Sequence, residues 1–386
     1  MTEVSVNRKA AGRVASGHPW IFSSDVTERG DAAPGSVVQV LDHKRRSLGI
    51  AHYSSSSQIC LRLLGPRVET VDAPFFERRL AAALEYRRSV VCDSDAYRLV
   101  HAEADLLPGL MVDRYGDYLA VQTLDQGMDA AKEWIVAGLV NLLAPEGIVL
   151  RNDASVRLKE QLPLETSIAY GEVPPDVVVH MNGLQFHADL RGGQKTGAFL
   201  DQRENYLAAA RYARGKALDC FTSGGGFALH LASRCESVEA VDSSAEALAT
   251  AERNRAANAI ANVEFREANV FDLLAGYSSA RREFSMVVLD PPAFAKSRSS
   301  LEGALRGYKE INLRALRLLG PGGVLVTCSC SHHVSEAAFL ETVAAASLDA
   351  GRKLRVLERR TQSQDHPILL TVPETHYLKC LILQVV

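Results

Sequence analysis

Ala217-Leu218-Asp219-Cys220-Phe221-Thr222-Ser223-Gly224-Gly225-Gly226-Phe227 reads as an apolar strand, a glycine turn and the first residue of a helix. Three glycines let backbone amides approach a ligand where a Cβ would collide. Four later runs also stop at a small, chemically loaded residue: Val238 to Asp242, Val263 to Asn269, Met286 to Asp290, and Gly322 to Ser331 with its two thiols. From about residue 200 onward helix and strand patterns alternate, which predicts βαβ units and a right-handed parallel sheet. In such a sheet ligands bind outside the carboxyl ends of the strands. The expected fold class is therefore α/β and Rossmann-like, with a site at those five strand ends.

The dinucleotide fingerprint G-x-G-x-x-G is absent, because Phe227, Ala228 and Leu229 follow Gly226. Asp242 lies 23 residues after Asp219, close to the roughly 20-residue offset at which an acidic residue meets ribose hydroxyls. Asp219 before the turn, Asp242 for the ribose and Asn269 for an adenine edge resemble the arrangement of S-adenosylmethionine (SAM) methyltransferases. The candidate cofactor residues are Asp219, Phe221, Thr222, Gly224, Gly225, Gly226, Phe227, Asp242, Ser243, Asn269, Asp290 and Gln202. A glycine turn alone is only a tight turn; the acidic and amide residues at successive strand ends weigh against that bland reading. In Asp290-Pro291-Pro292-Ala293-Phe294 two prolines fix φ and remove amide donors, holding carbonyls and an aromatic at the crevice rim. Phe294 is placed to stack on a base, although Pro-Pro can also merely end a strand.

The 386 residues suffice for two or three domains, since single cores stop growing at roughly 250–300 residues. Hydrophobic content of 47% and charged content of 23% are ordinary for a soluble globular protein. No apolar stretch approaches the roughly 18 residues of a membrane span, and the first residues lack the apolar core of a secretory signal. Seven scattered cysteines (60, 92, 220, 235, 328, 330 and 380) favour reduced thiols in the cytoplasm over a disulfide frame. The net charge of −3 hides an asymmetry: residues 1–70 carry +3 and the remainder −6. A basic N-terminal unit is compatible with nucleic-acid contact, and equally with ordinary charge scatter.

Short strands over 37–42, 47–53 and 59–64, punctuated by Pro34-Gly35 and Gly65-Pro66, predict a small β-barrel over 1–70. A helix over about 75–91, strands near 97–101, 110–114, 118–124 and 148–151, and a helix over 129–142 predict a central α+β domain over 71–180. Residues 181–386 form the α/β domain, entered through a hairpin whose Asn182-Gly183 signals a type I′ turn.

Cys328 and Cys330 are two apart and share a face of an extended strand, so spacing does not choose between them. Position favours Cys330, just outside the carboxyl end, with Cys328 deeper as a small buried hydrophobe. A methyltransferase needs a thiolate when its target carbon is not nucleophilic, as at carbon 5 of a pyrimidine. Such a base must be unpaired or flipped out.

With those residues in hand the chain resembles the RlmI/RlmO family of bacterial 23S rRNA 5-methylcytosine methyltransferases. The resemblance rests on residues 16–22, 98–110, 193–205, 222–230, 290–294, 329–331 and 365–367, and so spans nearly the whole chain. It implies an N-terminal PUA RNA-binding domain, a SAM-dependent catalytic domain, 23S rRNA as partner, and Cys330 as nucleophile through its Ser-Cys-Ser match; Asp290, at the fourth strand end, is the second catalytic candidate. It leaves room for a homodimer and involves no metal and no membrane. Many RNA 5-methylcytosine enzymes carry a second cysteine after a proline in the Asp290 loop; Ala293 stands there, so the base that removes the carbon-5 hydrogen is unassigned. Lys195 and Arg203 are candidates for RNA phosphates or the SAM carboxylate, or solvated charges at a helix start. His18 and Trp20 are candidates for an RNA-contacting loop or for barrel packing. Two rival functions stand beside this one: guanine N-methylation in RNA, which needs no thiol, and a non-catalytic RNA-binding assembly factor. A nicotinamide dehydrogenase is least supported.

Overall fold

The computed structural model describes every residue except 194, 195 and 296, and the backbone but not the side chain of Arg298. The chain divides into two compact units. Unit 1 comprises Met1–His180, Ala188–Ala198 and Gln364–Thr375; unit 2 comprises Met181–His187, Phe199–Ser363 and His376–Val386.

In unit 1, strands Trp20–Phe22, Ile59–Gly65, Ser47–Tyr53, Val37–Leu41, Thr2–Val6 and Val26–Glu28 lie in that order in one sheet. Val4, Val6, Ile21, Val38, Val40 and Leu61 form its core. Thr2–Val6 pairs in parallel with Val37–Leu41, a long-range pairing that no local signal announces. A second, five-stranded sheet runs in the order Glu165–Gly171, Gly147–Asn152, Tyr118–Thr123, Leu110–Tyr115, Ala96–His101. Helices Ala73–Val90 and Lys132–Leu143 bring Phe76, Leu80, Ile135 and Leu139 onto the core that this sheet builds from Leu99, Val112, Val121 and Ile148. The helix expected over 129–142 is two helices, Gln126–Ala130 and Lys132–Leu143, because Asp125 caps an earlier turn through Met128 N.

Unit 2 is built on seven strands: β1 Lys216–Cys220, β2 Ser237–Asp242, β3 Val263–Glu267, β4 Phe284–Leu289, β5 Leu319–Ser329, β6 Leu354–Arg360 and β7 Lys379–Val385. Their order is β3-β2-β1-β4-β5-β7-β6. Strands β1 to β5 are parallel; β7 runs antiparallel between β5 and β6. The order reverses beside β1, which makes the β1/β4 ends the topological switch point where α/β sheets bind ligands. All five residues singled out at strand ends therefore share one edge, and the α/β class expected from the sequence is the one observed. Strand β5 begins before Gly322-Gly323 rather than after it. Gly322 has φ +79, and the pairing slips between Phe284↔Leu319 and Met286↔Val324, so the glycines form a bulge inside the strand.

Candidate active site

The glycine turn is wound against its own residues. Phe221, Ser223 and Gly225 have φ of 64, 49 and 85, a left-handed region that is costly for side chains and kept only when the surroundings enforce it. Thr222 N donates to Val241 O (3.0 Å), Ser223 N to Asp242 Oδ2 (2.9 Å), Gly225 N to Thr222 O (2.9 Å), and Asn254 Nδ2 to Gly224 O (2.8 Å). A Cβ on Gly226 would stand 2.4 Å from the Tyr206 ring, so this glycine is required by packing. At Gly224 a Cβ would meet only Asn254 Nδ2, at 3.6 Å. The space over that glycine is open, as a ligand cradle requires.

Asp219 is fully buried. Its Oδ2 accepts from Thr222 Oγ1 (2.6 Å) and Ala228 N (3.0 Å), tying the turn to helix Gly226–Ala232, while its Oδ1 is buried without a hydrogen bond. Burial raises its carboxyl to about 7 against the Thr222 bond, with Asp290 adding in the same direction. An orphaned carboxylate oxygen under an open glycine turn fits a donor-rich, cationic ligand such as SAM. Asp242 is half-buried; its oxygens accept from Ser223 N and Ser244 N. Ser243 beside it is exposed. Asn269 is exposed and caps helix Val270–Ser279 by accepting from Phe271 N (2.9 Å). Its acceptor atom is thus engaged, and Nδ2 is the donor it offers at the β3 end. Gly226→Ala is expected to destabilise the protein by about 1–3 kcal/mol through forced movement of Tyr206, read as a lower thermal midpoint together with weaker SAM binding.

The two thiols separate. Cys328 is fully buried and faces Cys380 across the β5–β7 pairing; burial pushes its thiol up, with Cys380 adding to the effect. Such a thiol is inert. Cys330 lies just beyond β5, is partly exposed, and its thiol is 3.9 Å from Pro291 O. Both flanking serines are fully buried and pinned. Ser329 Oγ donates to Tyr308 OH (3.0 Å), Tyr308 OH and Ser331 Oγ are 3.0 Å apart, and Ala295 N donates to Ser331 Oγ (3.2 Å). The Tyr308 phenol thereby joins the two serines that flank Cys330, and Ser331 ties them to the loop after Asp290. Asp290 Oδ1 accepts from Gln202 Nε2 (2.9 Å), and Gln202 is itself held by Asn205 Nδ2 (2.7 Å). Lys379 opens β7 opposite Ser329 and is 4% exposed. Its Nζ donates to Ser331 O and Tyr377 O, both at 2.8 Å. Burial lowers its ammonium to about 8, against the opposing pull of Cys330 and Glu336.

Several sequence candidates have other surroundings. Arg203 is only 2% exposed and lies 3.6 Å from Glu204. That burial does not fit the solvated charge at a helix start. Phe227 is buried edge-on to Tyr206 at 4.8 Å, so only its backbone can meet a ligand. Phe294 is half-buried, with its ring 4.7 Å from Tyr308 and 5.9 Å from Phe271. His18 and Trp20 are in unit 1 and engaged there: Trp20 Nε1 donates to Glu103 Oε1 (2.8 Å), His18 Nε2 is 3.1 Å from Glu374, and their rings meet edge-on. That arrangement favours the packing role. Lys195 lies outside the described residues. Tyr308, Lys379, Tyr206 and Asn254 were not singled out from the sequence. Only Lys379 carries a signal there, a charge inside the apolar run 377–386. Among the described residues no cluster of His, Cys, Asp or Glu is placed to hold a metal ion, and no helix is long and apolar enough to cross a membrane.

Residues 4–66 match the family description PUA-like domain, and residues 151–382 match S-adenosylmethionine-dependent methyltransferase. A ribosomal RNA large subunit methyltransferase I from Tolumonas auensis is 41% identical over 379 residues, covering 96% of each chain. The chain belongs to the ribosomal RNA large subunit methyltransferase I family. The relative from Shewanella amazonensis is 42% identical over 95% of each chain. A solved structure from Streptococcus mutans, assigned as a SAM-dependent methyltransferase, has the same fold over 100% of both chains (TM-score 0.84, 20% identity). The chain is thus a SAM-dependent rRNA methyltransferase, and its N-terminal sheet is PUA-like.

Proposed function

We propose that this enzyme forms 5-methylcytosine in 23S rRNA, in the cytoplasm, through a covalent adduct of Cys330. The observation that carries the reading is the placement of Cys330. It is the partly exposed thiol at the β5 end, against the Pro291 carbonyl, between two serines fixed by Tyr308. Nothing about N-methylation of guanine calls for such a thiol.

The glycine turn at 224–226, Asp219, Asp242 and Asn269 would hold SAM, which supplies an electrophilic methyl group. The Cys330 thiolate adds to carbon 6 of the cytosine, forming an S–C6 bond and making carbon 5 an enamine-like nucleophile. Carbon 5 takes the methyl group, a base removes its hydrogen as a proton, and the electron pair left behind expels the thiolate. Asp290, oriented by Gln202, is the carboxylate for the polar edge of the base, and Phe294 the ring for its face. The Lys379 ammonium favours the anionic form of the neighbouring thiol. The target base must leave its stack to reach this site.

The test is an rRNA transcript in which 5-fluorocytosine replaces cytosine. Fluorine at carbon 5 blocks the release step, so a SAM-dependent protein–RNA adduct stable to denaturation is expected. Turnover on ordinary transcript with no trapped adduct on the fluorinated one would instead support the guanine-N reading.

A further inference from the structure

Unit 1 contains a cavity of about 380 Å³ where the linker after strand Ile59–Gly65 meets the start of helix Ala73–Val90. Arg67, Arg78 and Arg79 line it, together with Glu69, Thr70 and Phe75. Many arginines elsewhere in the unit are matched by the protein's own carboxylates, although among the described residues exposed Arg8 and Arg29 are not. Arg62 pairs with Glu160, Arg98 with Asp113 and Arg157 with Asp129, and even exposed Arg46 and Arg88 pair with Asp42 and Glu85. Among the described residues Arg67, Arg78 and Arg79 have no such ion pair, nor has Glu69. Three cations facing one hollow with a single carboxylate leave it net positive.

Arg79 is also held in place. Its Nη2 donates to Leu64 O (3.1 Å), and its guanidinium lies over the Phe75 ring at 5.5 Å. Burial lowers its affinity for the proton, and the charge of Arg78 lowers it further. Adjacent like charges, one half-buried and fixed, are relieved by an incoming anion. The guanidinium fork matches the oxygens of a phosphate in a way that an ammonium does not.

We propose that Arg67, Arg78 and Arg79 form a phosphodiester-binding site through which unit 1 grips the rRNA backbone. The proposal rests on rRNA being the substrate. The site carries no sequence information; it sets affinity and register, as backbone contacts do. Neutralising phosphates releases counterions, so each lost contact lowers the salt dependence of binding by about 0.7–0.9 in log–log slope.

The test compares the full chain with Arg67→Ala/Arg78→Ala, both at exposed positions, and with Arg67→Lys/Arg78→Lys. Binding to an unmodified large-subunit rRNA transcript is measured across a salt series. The alanine pair should bind about tenfold more weakly at 0.15 M salt with a slope smaller by about one to two. SAM affinity by calorimetry and kcat at saturating transcript should be unchanged, and the lysine pair should keep most of the slope. Wild-type affinity and slope in the alanine pair would overturn the proposal. So would inorganic phosphate raising the thermal midpoint of the wild type but not of the alanine pair while RNA binding is equal in both, since the hollow would then be a free-anion site. Failure of the wild type itself to methylate the transcript would overturn the rRNA reading, and this site with it.

Discussion

Cys330→Ala is expected to lower methyl transfer by roughly four orders of magnitude or more, the scale on which removal of a covalent nucleophile acts. SAM binding should persist, because the 221–226 turn, Asp219 and Asp242 make their hydrogen bonds without the thiol. Cys328→Ala gives the contrast. It removes a small buried atom facing Cys380, costs on the order of 1–2 kcal/mol as a cavity, and leaves turnover near wild type at a temperature where the protein is folded. Single-turnover assays with calorimetric SAM titrations separate the two. A Cys330→Ala enzyme with wild-type turnover would end the covalent mechanism.

The second large effect is expected at Lys379. Its ammonium is buried and held by the carbonyls of Ser331 and Tyr377, within electrostatic reach of Cys330. Lys379→Met removes the cation that favours the thiolate. A fall in kcat of about 10²-fold near neutral pH is expected, within the range for a positioned charge at a reacting centre. The acid limb of kcat/KM should move to higher pH, so that activity partly recovers in alkali. A change confined to packing would lower kcat without moving that limb. Stability gives an independent reading. Lys379 titrates near 8 in the folded protein but near 10.4 in an unfolded chain, so between those values the unfolded state binds more protons. Stability therefore rises with pH across that window. The wild type should gain on the Lys379→Met variant from about pH 8 to 10.5, as read by denaturant unfolding. Equal pH slopes for the two would remove Lys379 from this role.

The strand ends of unit 2 were legible because each strand-like run stops at a small, chemically loaded residue, and parallel topology brings all such ends to one edge. The glycine turn was legible for the same local reason. What the sequence concealed are the long-range partners. Tyr308 lies on helix Leu301–Arg317 among apolar neighbours, and nothing local shows its hydroxyl shared between Ser329 and Ser331. Arg203 follows Asp201-Gln202 as an ordinary helix-start charge, yet the packing of unit 2 encloses it. Asp219 is legible as a residue before the turn, but its second role as an internal brace is not: one oxygen holds the helix and the other is left without a hydrogen bond. Cys328 and Cys330 share strand periodicity, and only the point where β5 ends sets one in the core and the other at the rim.

Unit 1 is discontinuous, and that fixes an order of events during synthesis. Asp365 accepts the Arg98 amide at 2.8 Å on its carboxylate, and its carbonyl accepts from the enclosed Arg87 guanidinium at 2.8 Å. Both arginines precede it by more than 260 residues in the chain. At ~5–20 residues per second, a ribosome supplies that partner roughly 13–55 s later. Unit 1 thus lacks these two contacts until residues 199–363 of unit 2 have been synthesised.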